Sequence, residues 1–487
     1  MKINLKIILL AALFLAAFIV RVYRIDQLLG FYYDQGRDAL VIWDLIHGGK
    51  FFLIGPTTGI EGIFRGPWYY WLITPFYWIG RGNPVWPSVF LSATTVVATF
   101  LMYKITAKLA GLWAGVLAAI ISGFSFSFVM ASRWLSNPTP MFLISMLFVY
   151  SLFLIIDGKK WPWVATAFLA GLAMQFGSAA ELFYFLGLLF FIILLFFRDR
   201  KKLPSFKIIL LSVAALGITA LPQVIFDLRH GGILSGTISK FIFGEGSFKL
   251  SFWEMAKVRF PFYYDVFFSK LSFGIKTKAV FALLFGGLIV VNLKKIIKDS
   301  HLLTILLLLL APIIGMLFFQ GNQGNVYDYY FTGYYLIFVI FFASVIGLVS
   351  KTLWGKIIIA VFLVLFLKEN LPQVRDYIKS GVDGPSAIAL GNQKLALDWI
   401  NNNAGTQEYN IDVYVPPVIP YAYNYLTKWY LGGKPSENRV PLLYTLYEID
   451  SPHPERLTAW LVRQAGIGKV IDQQSFGGIT VQKRTRI

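Results

Sequence analysis

Three charged side chains near the start of the chain have a spacing that would bring them together on a helix. Asp34, Arg37 and Asp38 stand at positions i, i+3 and i+4, and residues three or four apart face the same side of a helical turn. The apolar positions between Arg37 and Ile46 repeat with helical spacing and predict an amphipathic helix in a membrane interface. A carboxylate there can act as a general base. It can equally cap the helix or join a surface ion pair.

Arg65 stands in a strongly aromatic segment of the same region, Phe64–Trp71. An arginine among aromatic residues at a membrane surface can extend its charged end to water while its stem stays among apolar groups. It can also hold a phosphate beside a lipid tail, because a guanidinium donates two parallel hydrogen bonds to an oxyanion. Both interpretations place Arg65 at the membrane interface.

The elements that must position these residues are mainly membrane helices. Of the 487 residues, 57% are apolar and 14% are charged, whereas soluble domains carry roughly 25% charged residues. This composition excludes a disordered chain, a coiled coil and a nucleic-acid-binding domain. The net charge of +19 is typical of membrane proteins that concentrate lysine and arginine in cytoplasmic loops. The chain has no cysteine, which excludes disulfides and thiolate metal sites.

Eleven apolar runs approach the roughly 20 residues that a membrane-spanning helix needs. They cover about 7–20, 84–103, 109–130, 138–156, 161–180, 182–197, 207–226, 279–293, 301–319, 331–349 and 353–367. Omitting the short run 279–293 would reverse every later loop. With all eleven runs and the N-terminus inside, the basic loops face the cytoplasm, as the positive-inside rule requires.

This arrangement leaves three larger pieces outside, namely two loops and a tail, at about 22–83, 227–278 and 371–487. The tail contains a helix-like stretch, Gly391–Asn402, and two strand-like stretches, Tyr409–Val415 and Gly478–Lys483. We therefore predict an all-α polytopic membrane protein with interfacial helices in its first outer loop. Residues 1–370 would form the transmembrane domain, and residues 371–487 a small α/β extracytoplasmic domain.

The two charged segments together resemble a known family. Asp34–Arg37 (Asp-Gln-Gly-Arg), followed by Arg65–Trp71 (Arg-Gly-Pro-Trp-Tyr-Tyr-Trp), is similar to the first outer loop of the GT-C integral-membrane glycosyltransferases. Among them it most resembles the protein O-mannosyltransferases and the lipid A aminoarabinose transferases. The resemblance continues in Ser132–Pro138 and Tyr327–Tyr330 and covers about the first 370 residues.

The resemblance implies that a sugar moves from a polyprenyl-phosphate carrier to an acceptor hydroxyl on the outer face of the membrane. In that reaction Asp34 would be the general base, with Asp38 as a second acid. The lipid phosphate would be held by Arg37, Arg65, Tyr69 and Tyr70. The other substrate contacts would come from Arg133, Asn137, Asp328, Tyr329 and Tyr330. A base and a phosphate clamp on opposite sides of the anomeric carbon would invert its configuration.

Some alternatives stay open for these residues. The tyrosines near Asp328 can belong to the aromatic belt of a membrane protein rather than to a sugar site. Gln35 and Asn137 stand where many relatives have carboxylates. Their neutral amides weaken a divalent-metal site, because hard cations prefer anionic oxygen ligands. We therefore predict no metal.

The expected partners are a polyprenyl-phosphate sugar, membrane lipid and a glycan, lipid or protein acceptor, with no nucleic acid. The absence of nucleotide-binding motifs fits a lipid-linked donor. The expected location is the plasma membrane of a prokaryote. Two alternative functions remain: a ligase or polymerase that moves a whole lipid-linked glycan, and a transporter or flippase. A transporter usually shows two related halves with broken helices at mid-membrane, whereas this sequence concentrates polar residues in outer loops.

Overall fold

The computed structural model describes residues 5–58, 62–243, 250–319, 324–380, 387–416 and 419–487. These residues are mostly helical. The α-helices are α1 Leu5–Val22, α2 Ile25–Leu28, α3 Tyr33–Gly48, α4 Trp68–Ile79, α5 Val85–Ala110, α6 Leu112–Phe124, α7 Phe126–Arg133, α8 Met141–Ile156, α9 Pro162–Phe176, α10 Tyr184–Arg198, α11 Phe206–Arg229, α12 Ile233–Phe243, α13 Phe252–Phe268, α14 Ile275–Lys298, α15 Ser300–Phe318, α16 Thr332–Gly347, α17 Leu353–Ser380, α18 Leu390–Ala404, α19 Tyr421–Trp429 and α20 Pro454–Ile467. Short 3₁₀ turns occupy Ala180–Phe183, Arg200–Lys202 and Asp328–Phe331.

The predicted spans coincide with apolar helices. Within the described ranges, eight helices are long and apolar enough to cross a membrane, and the bent pair α6–α7 would make a ninth. Helices α8 and α9 are apolar but have only 16 and 15 residues. The sequence predicted eleven spans, and nine helices of the described ranges meet the length and composition criteria when the bent pair counts as one span. The difference is the two short helices α8 and α9.

The bend between α6 and α7 has a clear physical cause. The two helix axes differ in direction by 59°, and the last carbonyl groups of α6 lack partners within the helix. The buried Arg21 of α1 supplies those partners, because its guanidinium donates to the carbonyls of Ser122 and Gly123 at 2.7 and 3.0 Å. It also contacts the hydroxyl of Ser132 at 3.1 Å. Arg21 thus fixes the direction of α7 and of the loop that follows it.

Helix α16 forms the centre of the transmembrane part. All 16 of its residues are buried, which fits a helix that is apolar on every side. Helices α5, α6, α8 and α15 pack around it. The chain enters α16 through the 3₁₀ turn at Asp328–Phe331, so the tyrosines of that turn lie at the end of the central helix.

The C-terminal region contains a four-stranded sheet. Its strands are β1 Asn410–Tyr414, β2 Leu442–Glu448, β3 Gly468–Phe476 and β4 Ile479–Arg486, in the order β1-β2-β4-β3. Strand β1 runs parallel to β2, and the other pairs are antiparallel. The predicted helix and both predicted strands of the tail are confirmed as α18, β1 and β4. The division into two domains at residue 370 stays a prediction, and α17 runs through that position.

The predicted fold class is confirmed: the protein is a helical membrane protein with a small C-terminal α/β part. In the first loop, α3 extends the predicted helix by one turn at its start. Its N-cap residue is Tyr32, whose backbone N–H donates to Oε1 of Gln35 at 3.1 Å. Asp34 therefore lies inside the first turn and is not the N-cap residue.

Candidate active site

A cavity of about 620 Å³ lies beside the first turn of α3. Its wall is built from several parts of the chain that are distant in sequence. They are α3, residues 56–58 and 63–65, the loop 134–138, the segment 174–182, the turn at Tyr329 and Tyr330, and the single residues Gln223, Ile238 and Phe319. The only charged side chains on this wall, among the described residues, are Asp34, Arg37, Asp38 and Arg65.

Asp34, Arg37 and Asp38 form one ion-pair cluster. The Arg37 guanidinium lies 2.9 Å from Oδ1 of Asp34 and 2.7 Å from Oδ1 of Asp38. The two carboxylates differ sharply in exposure: the Asp34 side chain is 57% exposed and that of Asp38 is 7% exposed. The cluster thus presents one carboxylate to incoming molecules and uses the other to hold the arginine.

The buried carboxylate of Asp38 accepts a hydrogen bond from a tyrosine. Tyr70 of α4 donates its hydroxyl hydrogen to Oδ1 of Asp38 at 2.8 Å. Burial raises the pKa of Asp38 from 3.8 to about 6, although Arg37 and Tyr70 both favour its charged form. Asp38 therefore carries its charge at neutral pH and loses it in mildly acidic solution.

Arg65 is the cation of this cavity that forms no ion pair within 4.0 Å among the described residues. No carboxylate of the described residues lies within 4.0 Å of its guanidinium. Its Nη2 donates to Oγ of Ser178 at 3.5 Å. Burial lowers the pKa of Arg65 below its usual range, which reflects the loss of water around the charge. The buried Glu181 acts electrostatically on Arg65 but forms no ion pair with it within 4.0 Å. The partly desolvated guanidinium is therefore suited to donate hydrogen bonds to a bound anion.

The backbone around Arg65 is held by two glutamines that the sequence analysis did not identify. Oε1 of Gln175 accepts from the Gly66 N–H at 2.6 Å, and Nε2 of Gln175 donates to Gln223 at 2.8 Å. Gln223 then donates to the carbonyl of Phe64 at 2.8 Å. Gln175 and Gln223 are polar residues within the apolar helices α9 and α11. A polar residue inside an apolar run indicates a candidate functional position, so this signal could have identified both glutamines from the sequence.

The other wall residues include three that the resemblance suggested. Asn137 donates to the carbonyl of Phe176 at 2.6 Å, and its own Oδ1 is buried without a partner among the described residues. Tyr329 and Tyr330 line the same cavity. An amide oxygen and two phenols can bind sugar hydroxyls, so this wall can contact a polar ligand.

Four of the suggested residues lie outside this cavity. Tyr69 and Tyr70 are buried behind Asp38 and do not line the wall. Arg133 and Asp328 line a second cavity of about 690 Å³. There Nη1 of Arg133 donates to three carbonyls at the end of α1, and Asp328 pairs with the buried Lys270 at 2.6 Å. The two cavities share Trp134, Pro138 and Tyr329.

The polar residues near Asp34 contact other parts of the fold. Within the part of the chain that the structure describes, no three His, Cys, Asp or Glu side chains come together as metal ligands. Gln35 contacts the backbone of Tyr32 and Leu135, and Asn137 contacts the backbone of α9. Both amides are therefore used to join parts of the fold.

Comparison with known proteins gives a family match for part of the chain. Residues 65–226 match the family model of dolichyl-phosphate-mannose-protein mannosyltransferase. This stretch includes Arg65, Asn137, Gln175 and Gln223, while Asp34 precedes it. A search of curated proteins gave no match.

Solved structures share the fold at low sequence identity. ArnT from Cupriavidus metallidurans in the apo state matches with a TM-score of 0.62 and 11% identity, over 98% of this chain and 97% of that chain. The same protein bound to undecaprenyl phosphate gives 0.55 and 12%, over 98% of each chain. The Archaeoglobus fulgidus oligosaccharyltransferase AglB, in complex with an inhibitory peptide and a dolichol-phosphate, gives 0.50 and 12%, over 94% and 72%.

The structural likeness shows the fold, and the family model matches residues 65–226. Both agree with the resemblance in the first outer loop, which is thereby confirmed. The chain has the GT-C fold and is a membrane glycosyltransferase.

Proposed function

We propose that this enzyme transfers a sugar from a polyprenyl-phosphate donor to a hydroxyl group of a glycan, lipid or protein, with inversion at the anomeric carbon. One observation carries the proposal. A single cavity holds an exposed carboxylate, Asp34, and a buried cation, Arg65, that forms no ion pair within 4.0 Å among the described residues. Transfer from a lipid phosphate needs a base for the acceptor and a cation for the departing phosphate.

In the proposed step, the acceptor oxygen forms a bond to the anomeric carbon while the bond from that carbon to the phosphate oxygen breaks. The acceptor proton passes to the carboxylate of Asp34. The lipid phosphate leaves with the bonding electron pair, and Arg65 stabilises its added negative charge. A lipid phosphate is a fair leaving group, so the step needs no strong general acid.

The two acidic residues would have different roles. Asp34 is the base because its side chain is 57% exposed to the cavity. Asp38 is a positioning residue, since Arg37 and Tyr70 both bind its Oδ1. Arg37 lies between the two carboxylates, so its charge is balanced before any phosphate arrives. This favours Arg65 over Arg37 as the main phosphate ligand.

The remaining contacts follow from the two cavities. Asn137, Tyr329 and Tyr330 share the wall with Arg65 and would contact the donor sugar. Arg133 and Asp328 line the neighbouring cavity, from which the acceptor would approach Asp34. The relatives support a lipid-phosphate donor in general, since one solved structure contains undecaprenyl phosphate and another a dolichol-phosphate.

We also propose a location. The basic loops predict a cytoplasmic N-terminus, which would place the first loop and the C-terminal sheet outside the plasma membrane of a prokaryote. The donor would then be used on the outer face, where no nucleotide sugar is needed.

The function is tested with purified protein in liposomes that contain a synthetic polyprenyl-phosphate monosaccharide with a radiolabelled sugar. After addition of envelope extract, we expect free polyprenyl phosphate and a labelled product whose anomeric configuration, read by NMR, is inverted. Activity only with a lipid-linked oligosaccharide would instead indicate a glycan ligase. Movement of the intact donor across the bilayer without release of phosphate would indicate a flippase.

A further inference from the structure

We propose that helix α19 of the C-terminal region positions the catalytic helix α3, and that Gly36 is the residue through which it does so. This inference rests on the proposed function, in which α3 carries the base Asp34. It gives the C-terminal region a part in catalysis although none of the groups proposed to react belongs to it.

The two helices touch through their backbones at Gly36. A Cβ atom built on Gly36 would lie 2.3 Å from the backbone nitrogen of Ala422 and 2.4 Å from the carbonyl carbon of Tyr421. Ordinary contact begins at 3.4 Å, and backbone atoms cannot turn away as a flexible side chain can. Any side chain at position 36 would therefore force α3 and α19 apart.

The contact continues along one face of α3. Tyr33 packs edge-on against Tyr421, with ring centroids 4.9 Å apart, and Trp43 packs against Tyr425 at 6.0 Å. Tyr33, Gly36 and Trp43 are separated by three and seven residues, which places them on one side of the helix.

The cavity side of α3 carries the charged cluster. Asp34 and Arg37 each follow a residue of the α19 contact by one position, so they point away from α19 by about 100°. A change in the α19 contact therefore moves the cluster as a rigid unit, without touching it directly.

Helix α19 and the segment before α3 are held by further contacts with the C-terminal region. The hydroxyl of Tyr423 donates to Glu448 of β2 at 2.9 Å, which ties α19 to the sheet. Next to it, Nε2 of Gln393 in α18 donates to the carbonyl of Phe31 at 2.9 Å. The backbone N–H of Leu390 donates to the carbonyl of Leu29 at 2.9 Å. The segment that leads into α3 is thus held on several sides by the C-terminal region.

The geometry predicts the size of the effect. Restoring ordinary contact at Gly36 requires the two backbones to separate by about 1 Å, the difference between 3.4 and 2.3 Å. A displacement of this size in a reacting group can lower a rate by roughly 10²-fold. Donor binding should change little, because Arg65 lies on a different segment.

The test compares Gly36→Ala with Gly48→Ala. Gly48 lies at the other end of the same helix, and the nearest atom to its built Cβ is 3.9 Å away. We expect Gly36→Ala to lower kcat by about 10²-fold, with an unchanged KM for the polyprenyl-phosphate sugar and a lower melting temperature, because the clash with α19 also destabilises the fold. Gly48→Ala should match the wild type. Wild-type kcat in Gly36→Ala would overturn the inference.

A cross-link gives a second test that does not depend on the folding of Gly36→Ala. Lys428 of α19 pairs with Asp44 of α3 at 3.1 Å on the surface, and the natural chain has no cysteine. Asp44→Cys with Lys428→Cys can therefore be joined selectively by a short bis-maleimide. We expect the joined protein to keep the kcat of the unjoined double variant. A tenfold or greater loss on joining would show that α19 must leave α3, and would overturn the inference.

The inference and the proposed function can fail separately. If Asp34→Asn is inactive and Gly36→Ala has wild-type kcat, the positioning role is wrong and the function stands. If Asp34→Asn is fully active, α3 does not carry the base and the proposed mechanism itself is wrong.

Discussion

Replacing Arg65 should separate catalysis from stability. Arg65 is held in the cavity without a carboxylate within 4.0 Å among the described residues, and burial lowers its pKa. Glu181 acts on this charge without forming an ion pair within 4.0 Å, and a buried charge without a close partner is unfavourable for folding unless a ligand supplies one. The proposed ligand is the donor phosphate. Arg65→Gln should therefore reduce turnover strongly without lowering thermal stability, whereas an arginine that anchors the protein in the interface would show the opposite pattern.

The size of the loss follows from the hydrogen bonds available. A hydrogen bond to a charged group contributes about 1.5–3 kcal/mol, and every 1.36 kcal/mol corresponds to about tenfold in rate. One such bond therefore corresponds to about 10–10²-fold, and removal of one donor to a developing oxyanion typically costs about 10²–10³-fold. The two ranges meet at about 10²-fold, which is the loss in kcat/KM that we expect. Arg65→Lys should retain part of the activity, because the charge survives but the bidentate geometry does not.

The assay measures release of polyprenyl phosphate from the synthetic donor, beside melting curves in detergent. Arg81→Gln is the matched control, since Arg81 is an exposed arginine of the same outer loop. We expect this control to keep the wild-type rate. Wild-type kcat/KM in both Arg65→Gln and Arg65→Lys, with a lower melting temperature, would refute the phosphate role.

Two further predictions concern pH. Burial raises the pKa of Asp38 to about 6, so the transfer rate should decline as the pH falls through 6, when protonated Asp38 releases Arg37. In a pH–rate profile, Asp38→Asn should not show this decline at acidic pH. A decline that persists in Asp38→Asn would contradict the role of Asp38. Burial also raises the pKa of Glu448 to about 7, against 4.5 for the free group. The folded state then binds the extra proton, so stability should fall as the pH rises from about 4.5 to 7, by about 3 kcal/mol at most. The melting temperature of Glu448→Gln should not fall over this pH range. If it falls with pH as steeply as that of the wild type, Glu448 is not the cause of the pH dependence.

The helical framework could be predicted because it depends on local composition. Apolar runs of near-membrane length mark the helices of the transmembrane part, and the spacing of Asp34, Arg37 and Asp38 was enough to place them on one helical turn. The ion pairs at 2.9 and 2.7 Å agree with that spacing. The tail helix α18 was likewise visible from its periodicity.

Contacts between distant segments could not be predicted in the same way. The pair formed by Gln175 and Gln223 joins two helices, and neither residue shows from its neighbours that it supports Arg65. The contact of Gly36 with Ala422 joins positions almost 390 residues apart. In the sequence Gly36 looks only like a weak helix former. The structure adds the reason for a glycine at this position, since the backbone of α19 leaves no room for a side chain.

The most direct test of the central claim is the rate of Asp34→Asn. Asparagine is close to aspartate in size but cannot accept a proton from the acceptor. Since loss of a general base typically lowers a rate by about 10²–10⁴-fold, we expect that loss in transfer from a polyprenyl-phosphate sugar, with the melting temperature of the wild type. A fully active Asp34→Asn protein would contradict the account and would move the base to Asp38.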